Sequence, residues 1–170
     1  MAASVPPGIL SLSLWNDAKD YLRAAETLIR ESQIALPTYF LLSHGLELTL
    51  KAYLIARGVE ERVLRKPNIR HDLQRLYDEA VALGLQIEDQ RVPVLVQAIS
   101  EFHKTFVFRY PGLNSDGDLI LVRTLAQAKD VLEIVAVIWR RVESVAISAR
   151  LEAAQGGQYP IEEWHMGGKK

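Results

Sequence analysis

Residues 36–58 read LPTYFLLSHGLELTLKAYLIARG, and the way this stretch distributes its side chains decides the fold. Wound as an α-helix at about 100° per residue, it puts Leu42, Leu46, Leu50 and Tyr53 on one face. Leu41, Gly45, Leu48, Ala52 and Ile55 cover the adjoining face. What remains polar is one stripe of Ser43, Glu47 and Lys51, with His44 and Leu54 near its edges. A helix apolar over more than half its circumference belongs inside a bundle. Pro37 falls in its first turn, where a missing N–H costs little, and Gly58 suits a left-handed C-cap.

The flanking segments carry the same period. Residues 1–10, with Pro6, Pro7 and Gly8, read as an irregular lead-in. Ser11 or Ser13 then stands where a cap is needed for a first helix running to about Glu31, with Leu14, Ala18, Tyr21, Leu22, Ala25, Leu28 and Ile29 inward. A short link over 32–36 predicts that this helix and the 36–58 helix lie antiparallel. After a brief turn over Glu60–Leu64, a third helix is expected from His71 or Asp72 to Gly84, with Asp72 favoured by the helix dipole. A fourth follows, capped by Asp89 and striped by Val92, Leu95, Val96, Ile99, Phe102 and Phe106. The last and longest starts near Leu119 or Val122 and ends at Ala154. Its seam is Ala128, Leu132, Val135, Trp139, Val142 and Ala146, flanked by Val131, Ile138 and Val145. Its far end is expected to project or to pack on a second subunit. The expectation is an all-α, single up-and-down bundle of about five helices over residues 1–155. Residues 156–170 are expected to be a flexible tail, apart from a contact by Trp164.

Composition narrows the function classes. Hydrophobic residues at 49% and charged residues at 24% are those of an ordinary globular chain. A net charge of −1 offers no global attraction for nucleic acid or membranes, so such binding needs a local patch. The absence of cysteine excludes disulfides and thiolate metal sites and fits a reducing cytoplasm. No basic, apolar leader opens the chain, and its longest apolar run, Ile134–Trp139, is far short of the roughly 20 residues that cross a bilayer. A cytoplasmic protein without membrane contact is expected.

Candidate chemistry is sparse. His44, His71, His103 and His165 are scattered, with no His-x-x-x-His or Glu-x-x-His pair, so no metal and no cofactor is expected. There is no nucleophile elbow around Ser43-His44 and no phosphate-binding glycine loop. The segment 57–75 is richer: Arg57, Arg62, Arg65, Lys66, Arg70 and Arg75 surround a helix start, against Glu60, Glu61 and Asp72. It reads either as a phosphate or RNA-backbone contact or as a solvated loop whose arginines pair locally. Glu47 and Lys51 form an i,i+4 pair. Buried in a central helix, Glu47 needs a further partner, and a cation from the 65–71 loop or Arg109 is expected to supply it.

Taken together, His44-Gly45-Leu46-Glu47-Leu48, Leu50-Lys51-Ala52-Tyr53-Leu54, then His71-Asp72-Leu73 with Leu76, and later Arg109-Tyr110-Pro111, resemble the HEPN superfamily over residues 14–148. The resemblance implies a helical bundle that forms homodimers, associated with toxin–antitoxin or defence systems. Some members are metal-independent ribonucleases and others bind or regulate. The ribonucleases carry an Arg followed four to six residues later by His; after Arg109 this chain has no such His. Arg65 to His71 matches that spacing but precedes the third helix, and His103 precedes Arg109. The leading expectation is therefore a nucleotide-, RNA- or partner-binding module. Its contact surface would be Arg65, Lys66, Arg70, His71, Arg109 and Tyr110, with Glu47 and Lys51 behind them. The alternatives are a metal-independent ribonuclease using His71 or His103 with Arg65 or Arg109, and a regulatory partner of a minimal nucleotidyltransferase.

Overall fold

The computed structural model describes residues 5–31, 35–109 and 125–156. The 32–34 link, Tyr110, the loop through 118, the proposed start of the last helix at Leu119 or Val122, and the tail with Trp164 and His165 lie outside them. The described residues form an all-α bundle: α1 (Pro7–Glu31), α2 (Ala35–Ala56), α3 (Glu61–Leu64), α4 (Leu73–Ala82), α5 (Arg91–Lys104) and α6 (Ala128–Gln155). No described helix is long and apolar enough to cross a membrane.

The central position of α2 follows from its composition. Between Thr38 and Ala56 no residue is exposed, and Leu42, Leu46 and Leu50 are fully buried. Each such leucine contributes about 1.5–3 kcal/mol relative to leaving it in water. α2 packs on α1, α4, α5 and α6. Its pairing with α1 is antiparallel: Ser11 Oγ donates to the Ala52 carbonyl at 2.8 Å, while Leu22 meets Gly45. Ser11 is thus not a cap. The helix already begins at Pro7, because proline is preset for the first helical position.

Gly8 explains why the sequence there looked irregular. A Cβ at this position would lie 2.1 Å from the Ala149 carbonyl oxygen, so the missing side chain lets α1 and α6 touch backbone to backbone. Further along, Trp15 and Trp139 stack with ring centroids 4.6 Å apart and planes 8° from parallel. Each indole N–H donates to the other's carbonyl, Trp15 Nε1 at 3.0 Å and Trp139 Nε1 at 3.2 Å. The contact pairs 8–149 and 15–139 make α6 antiparallel to α1. α6 starts at Ala128, since residues 125–127 are not helical. Its inner seam is Val131, Ile134, Val135, Ile138, Val142 and Ala146, so the expected flank Val131 and Ile138 is the true centre and Leu132, Trp139 and Val145 border it.

Three helices end alike, with a 6→1 and a 5→2 backbone bond closing over a left-handed residue. After α2, Val59 N–H bonds Leu54 O and Gly58 N–H bonds Ile55 O, with Gly58 at φ 89. After α4, Leu85 and Gly84 repeat the pattern on Ala80 and Val81. After α5, Val107 bonds Phe102 and Phe106 bonds His103, and here the left-handed position holds a phenylalanine, at φ 62. At the other helix ends, Asp72 caps α4 through Arg75 N–H at 3.1 Å. Asp89 accepts from Arg91 N–H at 3.0 Å as α5 begins.

The Gly8–Ala149 approach gives a direct check. Gly8→Ala must push two helix backbones apart, and a loss of about 1–3 kcal/mol in unfolding free energy is expected in urea titrations. Gly58→Ala, where nothing lies within 4 Å of an added Cβ, is the comparison that isolates backbone strain from overlap.

Candidate functional site

The polar stripe of α2 faces inward, and the site is built around it. Glu47 is 2% exposed, and among the described residues the polar partners of its carboxylate are all nitrogens. Lys51, one turn on, donates to Oε1 at 2.5 Å. On Oε2 meet His103 Nε2 of α5 at 2.5 Å and His71 Nδ1, just before α4, at 3.1 Å. His44 Nδ1, one turn earlier on α2, lies 3.8 Å from the same oxygen, too far for a hydrogen bond.

The protonation pattern follows from this geometry. Burial alone would push the Glu47 carboxyl up, but the His103 hydrogen bond, the nearby His44 imidazole and the Lys51 charge outweigh it and hold the group far below the usual carboxylate range. An ionised carboxylate only accepts, so both facing ring nitrogens carry protons. Burial likewise pushes the His103 imidazole below its ordinary value, reinforced by the charges of His44 and Arg109 and only partly opposed by Glu47. His103 is therefore a neutral Nε2–H donor. His71 accordingly carries a proton on Nδ1, and its Nε2 is the ring nitrogen turned away from that contact. The side chains of His71, His44 and Lys51 are a quarter exposed or less, while His103 is sealed.

Local structure sets each member in place. Asp72, the α4 cap, also accepts from Ser100 Oγ of α5 at 3.4 Å, and Ser100 accepts from Gln74 N–H at 3.0 Å. These bonds pin the His71 backbone to α5. Phe106 sets its ring edge-on to His71 at 5.3 Å and lies 5.3 Å from the Arg109 guanidinium, which also covers Phe40 at 4.8 Å. The left-handed turn at Phe106 is what brings the chain back over the Glu47 cluster. Glycine there would relax the backbone but remove the ring that both groups lean on.

Among the sequence candidates, Glu47, Lys51, His71, His103 and Arg109 converge. Arg65, Lys66 and Arg70 do not: Arg65 pairs with Glu61 in solvent, Lys66 and Arg70 are exposed, and no polar contact joins them to the Glu47 cluster. Arg62 pairs with Glu60 in the same way. Tyr110 lies outside the described residues. His44-x-x-Glu47 is the reverse of the Glu-x-x-His order, and its i,i+3 spacing puts both side chains on neighbouring positions of α2. An open groove of about 870 Å³ lined by Tyr77, Val81, Ile87, Val137 and Arg140 contains none of the cluster residues. No family model, curated protein or solved structure matches the chain.

Two measurements test the electrostatics. Glu47→Ala leaves Lys51 and two imidazoles without their acceptor, and a loss of about 3–5 kcal/mol in stability is expected, the range for breaking a buried ion pair. Stability should also fall with acidification in two stages. His103, depressed in the fold, contributes fully above its ordinary value of 6.5 and loses that contribution as pH falls through its folded value. Glu47 contributes fully above its ordinary 4.5, and its share drains below that. Urea midpoints measured from pH 8 to about 2.5 in EDTA should show the first stage and the onset of the second, and His103→Gln should flatten the first.

Proposed function

We propose that this chain is a HEPN-like helical module, acting as a homodimer, that binds a phosphate-bearing ligand, a nucleotide or an RNA segment, at the Glu47 cleft. One observation carries the reading: Lys51 and Arg109 bring two fixed positive charges to a cleft holding one carboxylate. Among the described residues Arg109 has no acidic partner, only two aromatic rings. The surplus positive charge, with histidine N–H groups and a flat ring beside it, suits a phosphate and an adjoining base. The arrangement differs from the basic loop of 57–75, whose Arg62 and Arg65 are already paired with local carboxylates. A role in toxin–antitoxin or defence systems and regulation of a minimal nucleotidyltransferase accompany the family resemblance and stand with it; a cytoplasmic location is proposed from the cysteine-free composition.

A second reading is favoured by the His71–Glu47 contact. A carboxylate on Nδ1 fixes the tautomer that leaves Nε2 free to take a proton, which is the orientation a general base requires. With Arg109 to balance charge on a reacting phosphate, the pair would support metal-independent RNA cleavage.

Labelled RNA and nucleotides incubated with purified protein in EDTA separate the two. For the binding module, salt-sensitive binding without cleavage is expected, and Arg109→Ala should weaken it and reduce the salt slope by about 1. For the ribonuclease, cleavage should vanish in His71→Ala. Absence of both binding and cleavage, or sedimentation as a monomer at micromolar concentration, would count against the proposal.

A further inference from the structure

The hydrogen-bond pattern of the cluster leaves one group unexplained. Among the described residues His44 Nδ1 is buried and has no hydrogen-bond partner, although it lies 3.8 Å from a carboxylate oxygen. Its ring is not loosely placed: it stacks on Phe40 at 5.7 Å and meets Tyr21 edge-on at 4.6 Å. A buried polar atom without a partner costs about 1–3 kcal/mol. The fold orders this ring with aromatic contacts on two sides and leaves its Nδ1 beside the Glu47 carboxylate without a bond.

We propose that His44 Nδ1, Glu47 Oε2 and His103 Nε2 form a three-ligand site for a divalent transition metal of the zinc class. The three atoms lie within 4.8 Å of one another. A tetrahedral zinc ion with ligands at about 2.0–2.1 Å needs them roughly 3.3 Å apart. Glu47 and His103 open slightly and His44 closes in, movements that side-chain torsions absorb. Two imidazoles and one carboxylate are a donor set that zinc accepts in open sites, and the shell is completed by water or an anion. His103 then carries its proton on Nδ1 instead of Nε2. Lys51 remains on Oε1, which makes the carboxylate a one-oxygen ligand and fixes its orientation from behind. Helix α2 supplies two ligands from successive turns and α5 the third, so the site spans the contact that already anchors the bundle.

The inference stands apart from the phosphate-cleft reading, because metal binding is measured with no RNA or nucleotide present. Protein stripped with EDTA and dialysed is titrated with zinc chloride by calorimetry and with cobalt chloride by visible absorption. One equivalent bound in the micromolar range or tighter is expected, with the d–d bands of a low-coordinate nitrogen/oxygen cobalt site and a rise in Tm on zinc addition. His44→Ala should weaken binding by about tenfold or more. This variant removes no hydrogen bond made by Nδ1 to a described residue, so it is the ligand substitution best placed to remain folded, which circular dichroism checks. Arg65→Ala, on the exposed surface, should bind as the wild type does. Wild-type protein that binds neither ion, a folded His44→Ala variant that binds as tightly as wild type, or equal loss in Arg65→Ala would overturn the proposal.

Discussion

A single buried carboxylate constrains this bundle. Removing an ionised glutamate from water costs several kcal/mol, and only close, well-directed donors offset that. Glu47 finds them on three elements: Lys51 on its own helix, His71 in the turn before α4, and His103 on α5. Each must be in register for the charge to be tolerated. The apolar faces of α2, α4 and α5 would pack in neighbouring registers at small cost, but the carboxylate accepts only one. The same group thus defines both the arrangement of three helices and the cleft between them.

The cleft is sharpened by an unusual helix ending. Glycine stands at the left-handed position after α2 and α4, and phenylalanine stands there after α5. A non-glycine residue in that conformation carries strain of order 1 kcal/mol. Here the strain coincides with the residue whose ring touches both His71 and Arg109. Strain placed at such a contact is the signature of a position chosen for what the side chain reaches rather than for backbone ease.

Much of this was legible before any coordinates. The apolar period of 36–58 determined the central helix, and its narrow polar stripe pointed to a buried Glu47 in need of a second partner. The loop histidine at 71 does meet it, and Arg109 borders the same cleft. Other features depend on distant contacts and leave no local trace. Nothing in the pattern around Pro6-Pro7-Gly8 says that an α6 carbonyl will lie where a Cβ would go. Of the expected α6 seam Val135, Val142 and Ala146 are buried, while Val131, Ile134 and Ile138 take the places expected of Ala128, Leu132 and Trp139, because periodicity does not rank neighbouring faces when both are hydrophobic. His44 was visible as a member of the stripe, but its orphaned nitrogen exists only once Tyr21 and Phe40 have fixed the ring.

The paired tryptophans tie the first long helix to the last across 124 residues of chain. During synthesis that clasp cannot close until α6 has left the ribosome. Until then α2, apolar around most of its girth, has α1 on one side and nothing on the side that α6 will cover. From the end of α2 at Ala56 to the start of α6 at Ala128 the nascent chain carries its most apolar segment half-covered. Its exposure to chaperones and to aggregation is therefore governed by how quickly the final thirty or so residues of the bundle emerge.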